Sequence, residues 1–321
     1  MKVESQARRP FRRVQILPSL LTIGNFACGF VSIVICLNAV HAAARIDPAA
    51  AEAREAEVAA AAVAVDMISL TRRDIHLLSR GRFSSMLSWA CVLIFVGMLF
   101  DALDGKLARH MGAASAFGTE LDSLADVTTF GLAPPMLVNA VWISAMPPPT
   151  PWLGPVGIFG VVFSISAVLR LARYNIQCGT ADKNTFTGLP SPAAAGCVAA
   201  ALLLAGGGYG PVEAFAAWLA GLAGNGGTAV QAKAYVLGAF LLLPGLLMIS
   251  TIPFAHLPNR CLSGKKSFST LAALVLILAL TWLEPRIMLF AGFNGYMLAG
   301  VALAVWRRRP RGGGGGGGLT T

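Results

Sequence analysis

The sequence predicts an all-α, polytopic integral membrane protein with about eight transmembrane helices, and three observations carry that expectation. Hydrophobic residues make up 56% of the 321 and charged residues only 12%, with mean hydropathy +0.68, too apolar for a soluble domain. The apolar residues fall in runs near the length of about 20 that a helix needs to cross about 30 Å of hydrocarbon. Most Lys and Arg gather at alternate ends of those runs, as a multi-pass chain requires.

Taken in order, the chain opens with a basic stretch, 1–16, whose Arg8, Arg9, Arg12 and Arg13 read as a topology signal or an anchor on anionic headgroups. The first apolar run, 17–40, is too long for a signal-peptide core. Residues 41–82 are alanine-rich and charge-balanced, lie between Pro48 and Gly81, and predict a helical insertion outside the membrane core. Further spans are expected at 84–107, 117–145, 152–176, 188–207, 233–254, 268–284 and 287–306, so the membrane domain covers 17–306. The glycine-rich segment 206–231 reads as re-entrant or interfacial, and 307–321 as a flexible basic and glycine-rich tail. Six cysteines without C-x2-C spacing predict small core residues and no disulfide framework.

The charge of +10 is distributed as topology signals, not as a nucleic-acid surface, so no nucleic-acid partner is expected. With the N-terminus inside, the basic clusters near 106–109, 170–183, 260–266 and 307–311 all fall on the cytoplasmic side. That puts residues 101–126 at the inner surface.

Those residues carry the chemistry. Asp101, Asp104, Gly105, Ala108, Arg109, Gly118, Asp122 and Asp126 form the pattern D-x2-D-G-x2-A-R-x8-G-x3-D-x3-D. On a helix, offsets of three, four and seven return to one face, which aligns Asp101, Asp104, Gly105 and Ala108, and on the next helix Gly118, Asp122 and Asp126. Antiparallel packing of the two helices brings the carboxylates together. An aspartate at the bilayer centre costs about 2.5 to 3.5 kcal/mol, so four of them need neutralising, and Lys106 and Arg109 are too few. Oxygen-only donors suit Mg2+, Mn2+ or Ca2+ and not zinc.

This pattern resembles the signature of the CDP-alcohol phosphatidyltransferases, matched at all eight positions. The stretches LPSLLTIGNFACGF (17–30), DSLADVTTFGLAP (122–134), RLARYN (170–175) and GLPSPAAAG (188–196) look like the phosphatidylserine synthase branch. The resemblance implies a six-helix core with extra C-terminal helices, a homodimer, and two divalent ions, Mg2+ or Mn2+. It carries Asp101, Asp104 and Asp122 over as metal ligands, with Asp126 as ligand or as the catalytic base. The implied reaction moves the phosphatidyl group of CDP-diacylglycerol to L-serine and releases CMP, at the cytoplasmic face of a bacterial inner membrane.

The small Gly105, Ala108 and Gly118 leave room for the nucleotide, Arg109 offers a forked donor to phosphate, and Thr22 and Asn25 are polar candidates for the CDP-lipid within the first span. Arg170 and Arg173 are candidates for an acceptor carboxylate, with Asn175 and Ser191 framing the acceptor pocket. Other acceptors, such as glycerol 3-phosphate or inositol phosphate, would demand more cations than this pair. A cation transporter would favour repeated halves with midplane carboxylates, whereas here there is one motif at an inside edge. The H-x-K-x4-D motif of the phospholipase D-like route begins at none of His41, His76, His110 or His256.

Overall fold

The computed structural model describes residues 16–44, 68–110, 116–145, 154–178, 188–206, 229–252, 254 and 283–308. Every regular element among them is helical. In chain order these are α1 (Ile16–Ala44), α2 (Ile68–His110), α3 (Ala116–Asp126), a π-helical turn (Val127–Leu132), α4 (Ala133–Ala145), α5 (Pro155–Cys178), α6 (Ser191–Gly206), α7 (Ala229–Ile249) and α8 (Pro285–Arg308).

Among the described residues, five helical stretches are long and apolar enough to cross a membrane: Ser19–His41, Phe83–Leu107, Phe117–Ser144, Pro155–Ile176 and Pro285–Ala304. This is a multi-pass membrane protein. Two of the eight expected spans are shorter apolar helices, Ser191–Gly206 and Ala234–Ile249. The expected span 268–284 lies almost wholly outside the described residues, as do 207–228 and the tail beyond 308. Helix α2 runs unbroken through Gly81, so the boundary expected there is a helix interior. The middle of the expected insertion, 45–67, falls outside the described residues.

The brevity of α6 has a physical reason. Thirteen of its residues, including Ala194 to Ala205 without interruption, are buried, so it sits wrapped by α2, α7 and α8 and touches little lipid. Helices on the outside of the bundle expose apolar side chains, for example Leu20, Ile23 and Phe30 of α1, and Ile158, Ile165 and Leu169 of α5. The core between them holds Ile94, Phe130, Leu137, Phe163, Leu202 and Met248, all fully enclosed. Cys28, Cys36, Cys91 and Cys197 are buried free thiols, as the cysteine spacing implies.

Because lipid tails are as apolar as leucine, helix association in a bilayer relies on close packing and on polar contacts between helices. Both are visible. The Ser32 hydroxyl of α1 donates to the Ala90 carbonyl of α2 at 2.9 Å, Ser84 of α2 donates to Gly206 of α6 at 2.6 Å, and Ser164 of α5 to Gly131 of the π turn at 3.0 Å. At the crossing of α1, α2 and the π turn, glycines replace side chains. A Cβ on Gly29 would come within 2.6 Å of the Thr129 Cα, and one on Gly97 within 2.9 Å of the Asn25 Oδ1.

This crossing predicts an overpacking penalty. Gly29→Ala should destabilise the folded protein by roughly 1 to 3 kcal/mol, because the contact is to backbone and cannot swing aside. Gly292→Ala, where nothing lies within 4 Å, should not. Detergent melting of the two variants checks this, and a Gly29→Ala protein that melts like wild type contradicts the close approach.

Candidate active site

Helix α1 stands behind the site and braces it. Thr22 and Asn25 are three residues apart, hence on one face, and both are buried. The Thr22 hydroxyl donates to Asp104 Oδ2 at 2.9 Å, and the Asn25 Nδ2 donates to Asp126 Oδ1 at 3.2 Å. Asn25 is itself fixed from behind, since the Thr129 hydroxyl donates to its backbone carbonyl at 2.8 Å. Thr129 occupies the π turn that directly follows Asp126. A π-helical insertion of this kind re-aims side chains within a helix, and such turns recur at functional sites.

The aspartates meet, though not by the expected route. Helices α2 and α3 make little direct contact; each packs against α1 instead. Carboxylate oxygens of Asp101, Asp122 and Asp126 nevertheless lie within 4.8 Å of one another. Asp104 stands outside this group of three, turned to Thr22 and to the backbone N–H of Gly105. The expected set of four equivalent ligands is therefore a cluster of three with a fourth carboxylate beside it, whose charge still reaches Asp122.

The donor set fits a hard divalent cation. Asp122 Oδ1 is buried and has no hydrogen-bond partner, and a carboxylate oxygen accepts but cannot donate. Like charges this close, with an orphaned oxygen among them, are stable only beside a cation or with protons added. All-oxygen ligation suits Mg2+, Mn2+ or Ca2+.

A cavity of about 240 Å³ opens from this cluster, lined by Asp101 of α2, by Thr119, Asp122, Ser123 and Asp126 of α3, by Arg170, Leu171, Tyr174 and Asn175 of α5, and by Pro190 and Pro192 at the start of α6. Across it, Asn175 Nδ2 donates to the Ser123 hydroxyl at 3.0 Å, which ties α5 to α3. The Arg170 Nη1 donates to the Ser191 hydroxyl at 2.6 Å. The same guanidinium is within electrostatic reach of Asp126, Asp101, Tyr174 and Tyr296.

Of the residues singled out in the sequence, Asp101, Asp122, Asp126, Arg170 and Asn175 line the cavity. Thr22 and Asn25 stand behind the carboxylates, and Ser191 stands behind Arg170, so they support the walls and do not form them. Arg173 is not a lining residue either; its Nη1 donates to the Ile249 carbonyl at 3.3 Å. Gly105 and Gly118 are partly buried on α2 and α3, and the side chains of Ala108 and Arg109 lie outside the described residues. Sequence reasoning missed Thr119, Ser123, Tyr174 and Thr129. For the first two a signal existed: Thr119 lies three residues before Asp122 and Ser123 three before Asp126 on one short helix, on the face that meets the cavity.

The sequence profile of the CDP-alcohol phosphatidyltransferase family matches residues 15–225. Among similar proteins are three named CDP-diacylglycerol–serine O-phosphatidyltransferase. That of Bacillus subtilis strain 168 is 32% identical over 57% of this chain and 72% of its own length. One from Helicobacter pylori strain 26695 is 30% identical over 66% of this chain and 78% of its own length. Another, from H. pylori strain J99, is 40% identical over 36% of this chain, an alignment that spans less than half, 46%, of that relative.

If the cluster binds a divalent ion, the ion must stabilise the folded state. Mn2+ at a hundredfold its dissociation constant should add about 2.7 kcal/mol to wild-type stability. Asp122→Asn should lose most of that increment while being no less stable without metal, because the change relieves like-charge repulsion at constant shape. Unfolding in detergent with and without Mn2+ decides it, and an increment equal to wild type in Asp122→Asn contradicts the assignment.

Proposed function

The chain belongs to the CDP-alcohol phosphatidyltransferase family, and from that premise and the geometry of the cavity we propose that it transfers the phosphatidyl group of CDP-diacylglycerol to the hydroxyl of L-serine, giving phosphatidylserine and CMP. The observation that carries the acceptor assignment is the cavity's charge pattern: three clustered carboxylates and, within electrostatic reach of them, Arg170, the one cationic side chain among its described lining residues. A planar guanidinium matches a carboxylate in a bidentate fork. A phosphorylated alcohol would ask for more positive charge. The names of the bacterial relatives support the same acceptor.

Asp101, Asp122 and Asp126 would hold Mg2+ or Mn2+, two ions in the reading favoured by the family resemblance, with Asp104 beside them on Thr22. When bound, such ions neutralise the pyrophosphate of the CDP-lipid and the charge that develops as CMP departs. The chain's own residues do the rest. Arg170 fixes the serine carboxylate, and Asn175 with Ser123 frames the polar body of the acceptor between α5 and α3. Asp126 takes the acceptor's proton. Its Oδ1 is held by Asn25, which leaves Oδ2 as the oxygen to receive it. The serine oxygen then forms a bond to phosphorus as the bridging P–O bond of the pyrophosphate breaks, and CMP leaves with that electron pair.

The basic clusters support a cavity at the cytoplasmic side of a bacterial inner membrane, where serine and the nucleotide are soluble and the diacylglycerol stays in lipid. The family resemblance favours a homodimer.

Purified protein with CDP-diacylglycerol and a panel of labelled alcohols should release CMP with serine and not with glycerol 3-phosphate or inositol phosphate. In the same assay Asp126→Asn should lower kcat by about 10²- to 10⁴-fold while CDP-diacylglycerol still binds in the presence of metal. Turnover near wild type in that variant defeats the base assignment, and CMP release with another acceptor defeats the choice of serine.

A further inference from the structure

The C-terminal end of α7 lies beyond the matched region 15–225, yet it grips the wall of the cavity. The Gly188 N–H donates to the Ile252 carbonyl at 2.8 Å and the Leu189 N–H to the Leu247 carbonyl at 2.9 Å. From the other side, Arg173 donates to the Ile249 carbonyl at 3.3 Å. Three donors from the α5 and α6 side thus converge on carbonyls of the last turn of α7 and of the residues just past it, and in a bilayer such groups must be satisfied by protein. Ser250 folds the turn, its hydroxyl donating to Leu247 O at 2.8 Å and accepting from the Ile252 N–H at 3.4 Å.

This clasp tolerates no side chain at its centre. Gly188 has φ +90°, and a Cβ there would run into the Met248 carbonyl oxygen. The chain then passes straight to Pro190, Ser191 and Pro192. The prolines line the cavity, and Ser191, fully buried, receives the Arg170 hydrogen bond at 2.6 Å. A displacement of the clasp moves Ser191, and Ser191 sets the direction of the guanidinium.

We propose that Arg173 and the Leu247–Ile252 turn are positioning elements for the acceptor: they hold the Gly188–Ser191 segment so that Arg170 meets the acceptor carboxylate, and they set acceptor affinity without touching the acceptor. This rests on the reading of Arg170 as the carboxylate's partner. It assigns Arg173 a role different from direct acceptor binding, and it makes a segment outside the matched region part of the specificity of the reaction.

The test is a split between the two substrates. Arg173→Met, Gly188→Ala and the milder Ser250→Ala should each raise KM for serine, by roughly three- to tenfold for the loss of one or two hydrogen bonds, with KM for CDP-diacylglycerol unchanged. Arg173→Lys keeps a donor for Ile249 and should retain most of the wild-type serine KM, whereas Arg170→Lys loses the fork and should not. In the double variant Gly188→Ala/Arg173→Met the two effects should be less than additive, since both open the same clasp. If Gly188→Ala does not fold, Ser250→Ala and Arg173→Met carry the comparison. Unchanged serine KM in Arg173→Met and Ser250→Ala overturns the proposal, as does a rise in Arg173→Lys equal to that in Arg173→Met, which would mean that Arg173 itself forks the acceptor. Wild-type protein that releases no CMP in response to serine sinks the underlying activity reading, a failure visible before any variant is made.

Discussion

Carboxylates grouped in a low-dielectric setting repel one another and lose their water, so this architecture depends first on what holds them in place. Helix α1 does that work with two side chains. Thr22 and Asn25 donate to Asp104 and Asp126, and the Thr129 hydroxyl locks the backbone of Asn25 in turn. The glycines at positions 29 and 97 let α1, α2 and the π turn approach closely enough for these bonds to form. Removing the small residues and removing the polar ones would therefore damage the site by one route, through loss of the α1 crossing.

From that anchor extends a cavity lined by charges of both signs. Its carboxylates come from α2 and α3, which lean on α1, and its guanidinium from Arg170 of α5, which donates to Ser191 at the start of α6. The bond from Asn175 to Ser123 and the electrostatic reach of Arg170 to Asp126 connect them. A proton acceptor and a carboxylate-binding group must share one small volume for an amino-acid hydroxyl to be activated. On the proposed reading the cavity of about 240 Å³ would take the acceptor, and the lipid chains would stay in the surrounding bilayer.

The helical class and the aspartate cluster were legible because they are periodic: a spacing of three or four places residues on one face whatever the tertiary context. Thr22 and Asn25 stood out as polar residues in an apolar run, although their target, the carboxylates and not the substrate, depends on how α1 crosses α2 and α3. Helix length was less legible. The run that became α6 looks like a span by composition, and only burial on all sides shows why it can be short. Arg173 shares a helix and a charge with Arg170, yet one turn of rotation points it to the Ile249 carbonyl. The clasp was invisible because backbone groups make most of it, and only the glycine at its centre leaves a mark in the sequence. Gly81 misled in the opposite sense, since glycine is tolerated inside a helix that packing sustains.

If α1 holds the carboxylates in an arrangement that binds a divalent ion, the Mn2+ affinity of Asn25→Leu, read by electron paramagnetic resonance on protein in nanodiscs, must fall. Loss of a residue that orients metal ligands lowers affinity by about 10- to 100-fold. A decrease in that range with unchanged helix content is the predicted result, and wild-type affinity in Asn25→Leu would contradict the account.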